Sequence, residues 1–193
     1  MSLKSVRVAT LLSALLVAAC STTLTNSPTS ATGEASSRAQ LEQAARKALN
    51  TLYETTPAAR ALGSKSAGIL VFPSVLKAGF LLGGSGGNGV LFSAQGEVLG
   101  YYNSSTLSWG LQAGAQDFSE AMFLTTPQSM QYLNSSEGWS VGVGPSVVVA
   151  DSGMATDFST TTARSDVYAF IYGQSGIMAG LGVQGQKITR LSD

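Results

Sequence analysis

Three stretches of the chain alternate apolar residues with glycine or small polar residues, and this alternation restricts the fold more than any other feature. In "WGLQAGAQ", Trp109, Leu111, Ala113 and Ala115 alternate with Gly110, Gln112, Gly114 and Gln116. In "WSVGVG", Trp139, Val141 and Val143 alternate with Ser140, Gly142 and Gly144. In "IMAGLGVQG", Ile177, Ala179, Leu181 and Val183 alternate with Met178, Gly180, Gly182 and Gln184. A period of two is that of a β-strand, so each stretch has one apolar face and one nearly bare face. Glycine inside a strand weakens it and marks a close approach to the sheet. Two readings of the bare faces stand: a bend, bulge or tightly packed neighbour, or a groove for a ligand or lipid.

Other strand candidates are "AGILVFP", a continuous apolar run, and "GFLLGG", "GVLFS", "VLGYY", "EAMFLTT" and "VYAFIYG". Most are short, β-branched or aromatic, and bounded by turn residues. Helices precede them. Leu41, Ala44, Ala45, Ala48, Leu49, Leu52 and Tyr53 recur at helical spacing and form one apolar stripe. Its small alanines predict burial in the domain's own core. Ser37 with Gln40 predicts a capping box, and Glu42 stands four before Arg46, a favourable pair. A second helix is predicted from Pro57, capped by Thr56, to Gly63, and a third over 127–136, with Thr126 as cap and Pro127 first. The fold class is therefore α+β: N-terminal amphipathic helices packed on a largely antiparallel, Gly-rich sheet or barrel-like sheet with one inserted short helix.

"GGSGGNG", residues 83 to 89, fits two catalytic patterns and satisfies neither. A nucleophile elbow needs a base beside Ser85, and the chain has no histidine. A dinucleotide fingerprint needs a following helix and a more distant acid, but "VLFSAQGEVLGYY" reads as strands. The glycines are read instead as a hairpin loop between "GFLL" and "GVLF", with Asn88-Gly89 as the turn pair. Part of the stretch is expected to pack bare backbone on a neighbour. Asp117 and Glu120 are read as a turn and a solvated strand edge rather than a catalytic dyad. Asp151, Asp157 and Asp166 are read as solvated loop acids rather than calcium ligands. The expectation is a binding protein with no catalytic residue, cofactor or metal. Eleven basic and eleven acidic residues balance, so the chain carries no strong nucleic-acid signal.

The N-terminus carries an address. "MSLKSVR" is cationic, and the apolar "VATLLSALLVAA" has the length of a signal peptide. It is too short to cross a hydrocarbon layer of about 30 Å. "LVAAC" resembles the lipobox of bacterial lipoproteins, which implies cleavage before Cys20 and acylation there. Ser21 after the cysteine implies, by the sorting rule of such proteins, the outer membrane facing the periplasm. The expected organisation is a signal peptide at 1–19, a lipidated flexible tether at 20–37 and one domain at 38–193.

"KSAGILVFPSVLKAGFLLGGSGGNGVLF", "SWGLQAGAQ" and "SDVYAFIYGQSGIMAGLGVQG" together resemble the SYLF domain family. The matching residues are Ser66 to Pro73, Lys77 to Phe80, Gly87 to Val90 and Tyr172 to Gly180. "YGQSGIMAG" replaces the family's usual Ser-rich, Leu-Phe version. The resemblance implies a non-enzymatic module that binds anionic, phosphoinositide-like lipids through its basic N-terminal region. Charge supports this independently. From Arg38 to Lys77 there are six basic residues against two acids, a net +4, whereas from Ala78 to Asp193 three basic residues face eight acids. Arg46, Lys47, Arg60, Lys65 and Lys77 are the candidate lipid contacts. Solvated helix faces are the plainer reading of the same residues. The expected partners are membrane lipids. The alternative is an interaction module or surface antigen that docks another envelope protein on the Gly-rich sheet face.

Overall fold

The computed structural model describes residues 29–135, 137–141, 143–150 and 165–192. Cys20, the leader, Asp151 and Asp157 lie outside the described residues. In chain order the elements are α1 (Thr29–Thr55), α2 (Pro57–Gly63), β1 (Gly68–Phe92), β2 (Val98–Leu124), α3 (Pro127–Leu133), β3 (Trp139–Ser140), β4 (Val147–Ala150) and β5 (Val167–Arg190). The sheet order is β1-β2-β5-β3, and β4 also pairs β5. Only the β4–β5 pairing is parallel. The α+β class and the largely antiparallel sheet are as the sequence predicts.

The strand count differs. Most of the short strand candidates fuse into three long strands, β1, β2 and β5, each of which runs out from the core, bends and returns. The bend crosses all three. In β1, Leu81 has φ +64°. Phe80 pairs with Ala113 and Leu82 with Trp109, so Gly110, Leu111 and Gln112 bulge opposite that one leucine. Gly110 and Gly114 in β2, and Gly173 and Gly176 in β5, also have positive φ, which glycine adopts without steric cost. The glycines of "WGLQAGAQ" are bend residues, the first of the two readings of the bare faces.

The hairpin loop expected at 83–89 is not there. Gly83 to Gly89 lie inside β1 and pair with Ser108 to Tyr102. The turn comes later, where the Ser93 N–H donates to the Glu97 carbonyl over 2.8 Å. The reason is close approach. A Cβ on Gly89 would lie 2.5 Å from the Phe72 ring and 2.7 Å from the Val71 carbonyl oxygen, and one on Gly87 would strike the Ser74 carbonyl. The outgoing and returning arms of β1 therefore stack on each other through bare backbone.

"WSVGVG" also departs from expectation. Only Trp139 and Ser140 pair as strand, with Ile188 and Lys187. The chain then turns, the Trp139 indole donating to the Val143 carbonyl over 3.1 Å. Gly144 at φ +87° and the following Pro145 cannot continue a ladder.

Helix α1 starts at Thr29, so Ser37 lies inside it rather than capping it, and the stretch 29–37 of the expected tether is helical. Glu34 and Arg38 pair at i,i+4, and Arg38 donates to the Ser192 carbonyl over 2.8 Å, tying the helix to the end of the chain. Helix α2 has the predicted bounds, but the Thr56 side chain makes no cap bond. Helix α3 ends at Leu133, and Thr126 caps it by accepting from the Ser129 N–H.

The layer made of the outgoing arms of β1 and β5 and the returning arm of β2 is buried on both faces near its base. One face carries Ile69, Val71, Ala121, Phe123, Tyr168 and Phe170 and receives the α1 stripe through Leu41, Ala45, Ala48, Leu49, Leu52 and Tyr53. Phe123 meets Phe170 edge-on at 5.4 Å. The other face lies inside the curl, where Leu70, Phe72, Leu91, Tyr102, Met122 and Ile188 pack with Leu133 and Trp139. Alternating burial on both sides explains why "AGILVFP" has no polar member before Pro73. The Tyr172 hydroxyl is buried without a hydrogen-bond partner. Burial, and secondarily Tyr53, push its pKa above the usual phenol value. Tyr172→Phe removes an unsatisfied group and is expected to stabilise the domain by about 1 kcal/mol, read as a higher denaturant midpoint.

Candidate functional site

Two surfaces emerge from this fold. The first is the solvent side of the helical layer. Because α1 turns its apolar stripe to the core, its charged residues face outward. Arg46, Lys47, Arg60 and Lys65 are all exposed. Two are held in place: Arg46 donates to Glu42 over 2.8 Å and lies 4.8 Å over the Phe92 ring, and Arg60 lies 5.0 Å over the Tyr53 ring. A shallow cleft of about 250 Å³ opens beside Arg46, between α1 and the β1–β2 turn, and is lined also by Asn50, Ile69 and Gln95. Lys77 stands apart from these four. It is half-buried on β1, paired with Gln116, and alternates onto the face of buried Val75.

The second surface is the bend of the three long strands. No Asp, Glu, Lys, Arg or His occurs in 78–96, 98–116 or 167–186. At the bend the usual pattern inverts. Along β2, Ser104, Thr106 and Ser108 are buried, while Leu107 and Trp109 are 77% and 64% exposed. Phe80, Leu82 and Ile177 are 76%, 72% and 83% exposed on the neighbouring strands. The lobe is polar inside and apolar outside. Sequence alternation marks these positions as one apolar face, but it cannot say that the face points outward.

Inside the curl, Glu120 is almost completely buried. The Gln186 amide donates to it over 2.9 Å and to Ser104 over 3.0 Å, bridging outgoing and returning arms. Burial raises the Glu120 pKa to about 7, with the Gln186 bond opposing the shift. Neither Asp117 nor Glu120 is in a turn or on a strand edge, contrary to expectation. Both lie in β2, between β1 and β5. Asp117 accepts from the Ser74 hydroxyl over 2.5 Å, so the two carboxyls serve different partners. Asp166 accepts from the Ser146 N–H and hydroxyl and from Thr126. Those bonds lower its pKa and fix the chain before β5. Ser85 sits mid-strand, opposite Thr106. Among the described residues there is no group of three metal-binding side chains.

The family model Ysc84, described as Las17-binding protein actin regulator, matches residues 105–193. No curated protein matches the chain. The matched segment begins on the returning arm of the lobe, in β2, and carries α3, β3, β4 and β5. Its β2 pairs with β1 from end to end, so the motifs at 66–90 and the matched segment share one sheet. Residues 105–193, a little under half of the chain, thus match the model of the Ysc84, or SYLF, domain family.

Proposed function

We propose that the chain is a non-enzymatic, lipid-binding lipoprotein of the bacterial envelope. It is anchored through acylated Cys20, faces the periplasm from the outer membrane, and meets anionic headgroups with its helical layer. One observation carries the lipid reading: α1 commits its apolar stripe to the core and leaves Arg46 and Lys47 on α1, Arg60 on α2 and Lys65 in the turn after α2 exposed. A basic side chain near an anionic surface contributes about 1 kcal/mol. Glu42 offsets Arg46, so Lys47, Arg60 and Lys65 supply most of the attraction. Lys77 adds to it at the base of the bend.

The test is vesicle flotation of non-acylated protein beginning after Cys20. Binding to anionic vesicles is expected to weaken as salt rises, since exposed charges are screened over about 10 Å at 0.1 M. Reversing Lys47, Arg60 and Lys65 to glutamate is expected to abolish the preference for anionic over neutral vesicles. Equal, salt-independent binding to both would refute the reading.

A second reading, a protein-docking module, is favoured by the family description and by an open strand edge. Among the described residues, β3 with the following Val141 covers β5 at 186–188, and β4 covers it at 167–170. A partner held there would resist salt, because backbone pairing and apolar contact are little screened.

A further inference from the structure

We propose that the bend of the three long strands is a membrane-insertion element, which carries Phe80, Leu82, Leu107, Trp109 and Ile177 into the headgroup–acyl boundary of a bilayer. The inference rests on the lipid-surface reading but names a different part of the molecule.

Three observations on the lobe converge. First, all three strands are free of ionisable side chains through the bend, and charge is the costliest group to take into lipid. Second, the alternation is apolar outside and polar inside: Ser104, Thr106 and Ser108 are buried, and Ser104 is bonded to the Gln186 that also holds Glu120. That is the pattern of strands whose outer face meets hydrocarbon. A water-soluble sheet with one solvated face has the reverse.

Third, the apolar face is convex. The arms of β1 stack on the concave side through Gly79, Gly87 and Gly89, leaving the outer side chains splayed around a bend. A second copy of this lobe would present another convex surface and touch it over a small area. A fluid acyl layer conforms to the bend and covers it. Trp109 on the outer face is the residue type that membrane–water interfaces favour. Exposed Lys187 neighbours the patch, paired with Ser105 two residues from Leu107, where it would meet phosphate. β1 is an edge strand, and open edges are not tolerated within hydrocarbon. The lobe therefore rests at interfacial depth rather than crossing.

The chain's two tryptophans make the test direct. Trp139 is 1% exposed and Trp109 is at the bend. The full chain is reconstituted on phosphatidylcholine vesicles with and without phosphatidylglycerol, and Trp109 emission is taken as the difference from Trp109→Phe. Trp109 is expected to shift to the blue and to lose roughly half or more of its emission to acyl-brominated lipid, as an interfacial indole does. The triple variant Phe80→Ser, Leu82→Ser, Leu107→Ser changes only exposed side chains, and its quenching is expected to fall several-fold. Failure of the chain to co-float, an unquenched Trp109, or equal quenching in the triple variant overturns the proposal. So does a blue shift that grows with protein concentration in the absence of lipid, which would identify a second copy as the occupant. The two readings fail separately. Anionic vesicle binding with Trp109 unquenched removes insertion alone. Trp109 quenched on both vesicle types, with charge reversal at Lys47, Arg60 and Lys65 without effect, removes the headgroup reading alone.

Discussion

Gly87→Ala is expected to cost the domain about 3 kcal/mol or more, in line with overpacking a site that cannot yield. The new methyl would meet the Ser74 carbonyl and lie 3.3 Å from the Val75 Cα. All of these are backbone atoms. Each arm of β1 is held in its own ladder to β2, Gly87 opposite Ser104 and Val75 opposite Phe118, so neither can retreat without breaking pairs. The measurement is chemical denaturation of Gly87→Ala beside Gly185→Ala. Gly185 has nothing within 4 Å of its notional Cβ, and its variant is expected to lie within about 0.5 kcal/mol of the parent. Equal effects at both sites would show that the arms do not stack.

Glu120→Gln is expected to stabilise the protein at pH 8 by as much as about 3 kcal/mol and to flatten its stability profile between pH 4.5 and 7. The folded-state pKa is raised to about 7 from 4.5. Between those values the native state binds the proton more tightly than the unfolded chain does. Stability therefore falls as pH rises through this window and levels off above pH 7. A shift of one unit corresponds to 1.36 kcal/mol, which sets the size of the effect. The substituted amide keeps an acceptor for the Gln186 side chain without a buried charge. Urea midpoints of parent and variant at several pH values read the result. Parallel profiles would mean that Glu120 reaches water.

These expectations show which parts of the fold are local in origin. Helix α2 is legible because Thr56, Pro57 and Gly63 punctuate it, and α3 because Thr126 caps it and Pro127 starts it. The α1 stripe is legible because its apolar positions keep one phase: six of the seven pack on the core, and only Ala44, at the margin of the stripe, is exposed. The start of α1 is not, since Glu34–Arg38 and the Arg38–Ser192 bond carry the helix past Ser37. Glycine is half legible in β1: the expected packing of bare backbone on a neighbour is there, and the expected turn is not. Asn88-Gly89 has the chemistry of a tight turn, yet the bare backbone is required by contact with Phe72 and Ser74, which lie more than ten residues away. The same non-local packing hides the polarity of the bend. An alternating strand announces two faces, and only the curl decides which one water sees. Glu120 misleads for this reason: as an isolated acid it signals a surface, and only the closing arm with Gln186 buries it. Of the five cationic candidates, four lie on the exposed helical layer, and Lys77 belongs to the sheet.

The central claim is that one bent sheet holds its core at the base and offers the bend to lipid. Backbone hydrogen exchange with and without anionic vesicles tests it most directly. As an edge strand, β1 leaves half its amides at 76–88 without a ladder partner, so they exchange quickly in water. Vesicles are predicted to slow exchange selectively at 78–86 of β1, while α1 amides, already bonded within the helix, and the β2 amides, laddered between β1 and β5, change little. Protection confined to α1, or none at the bend, would contradict the account.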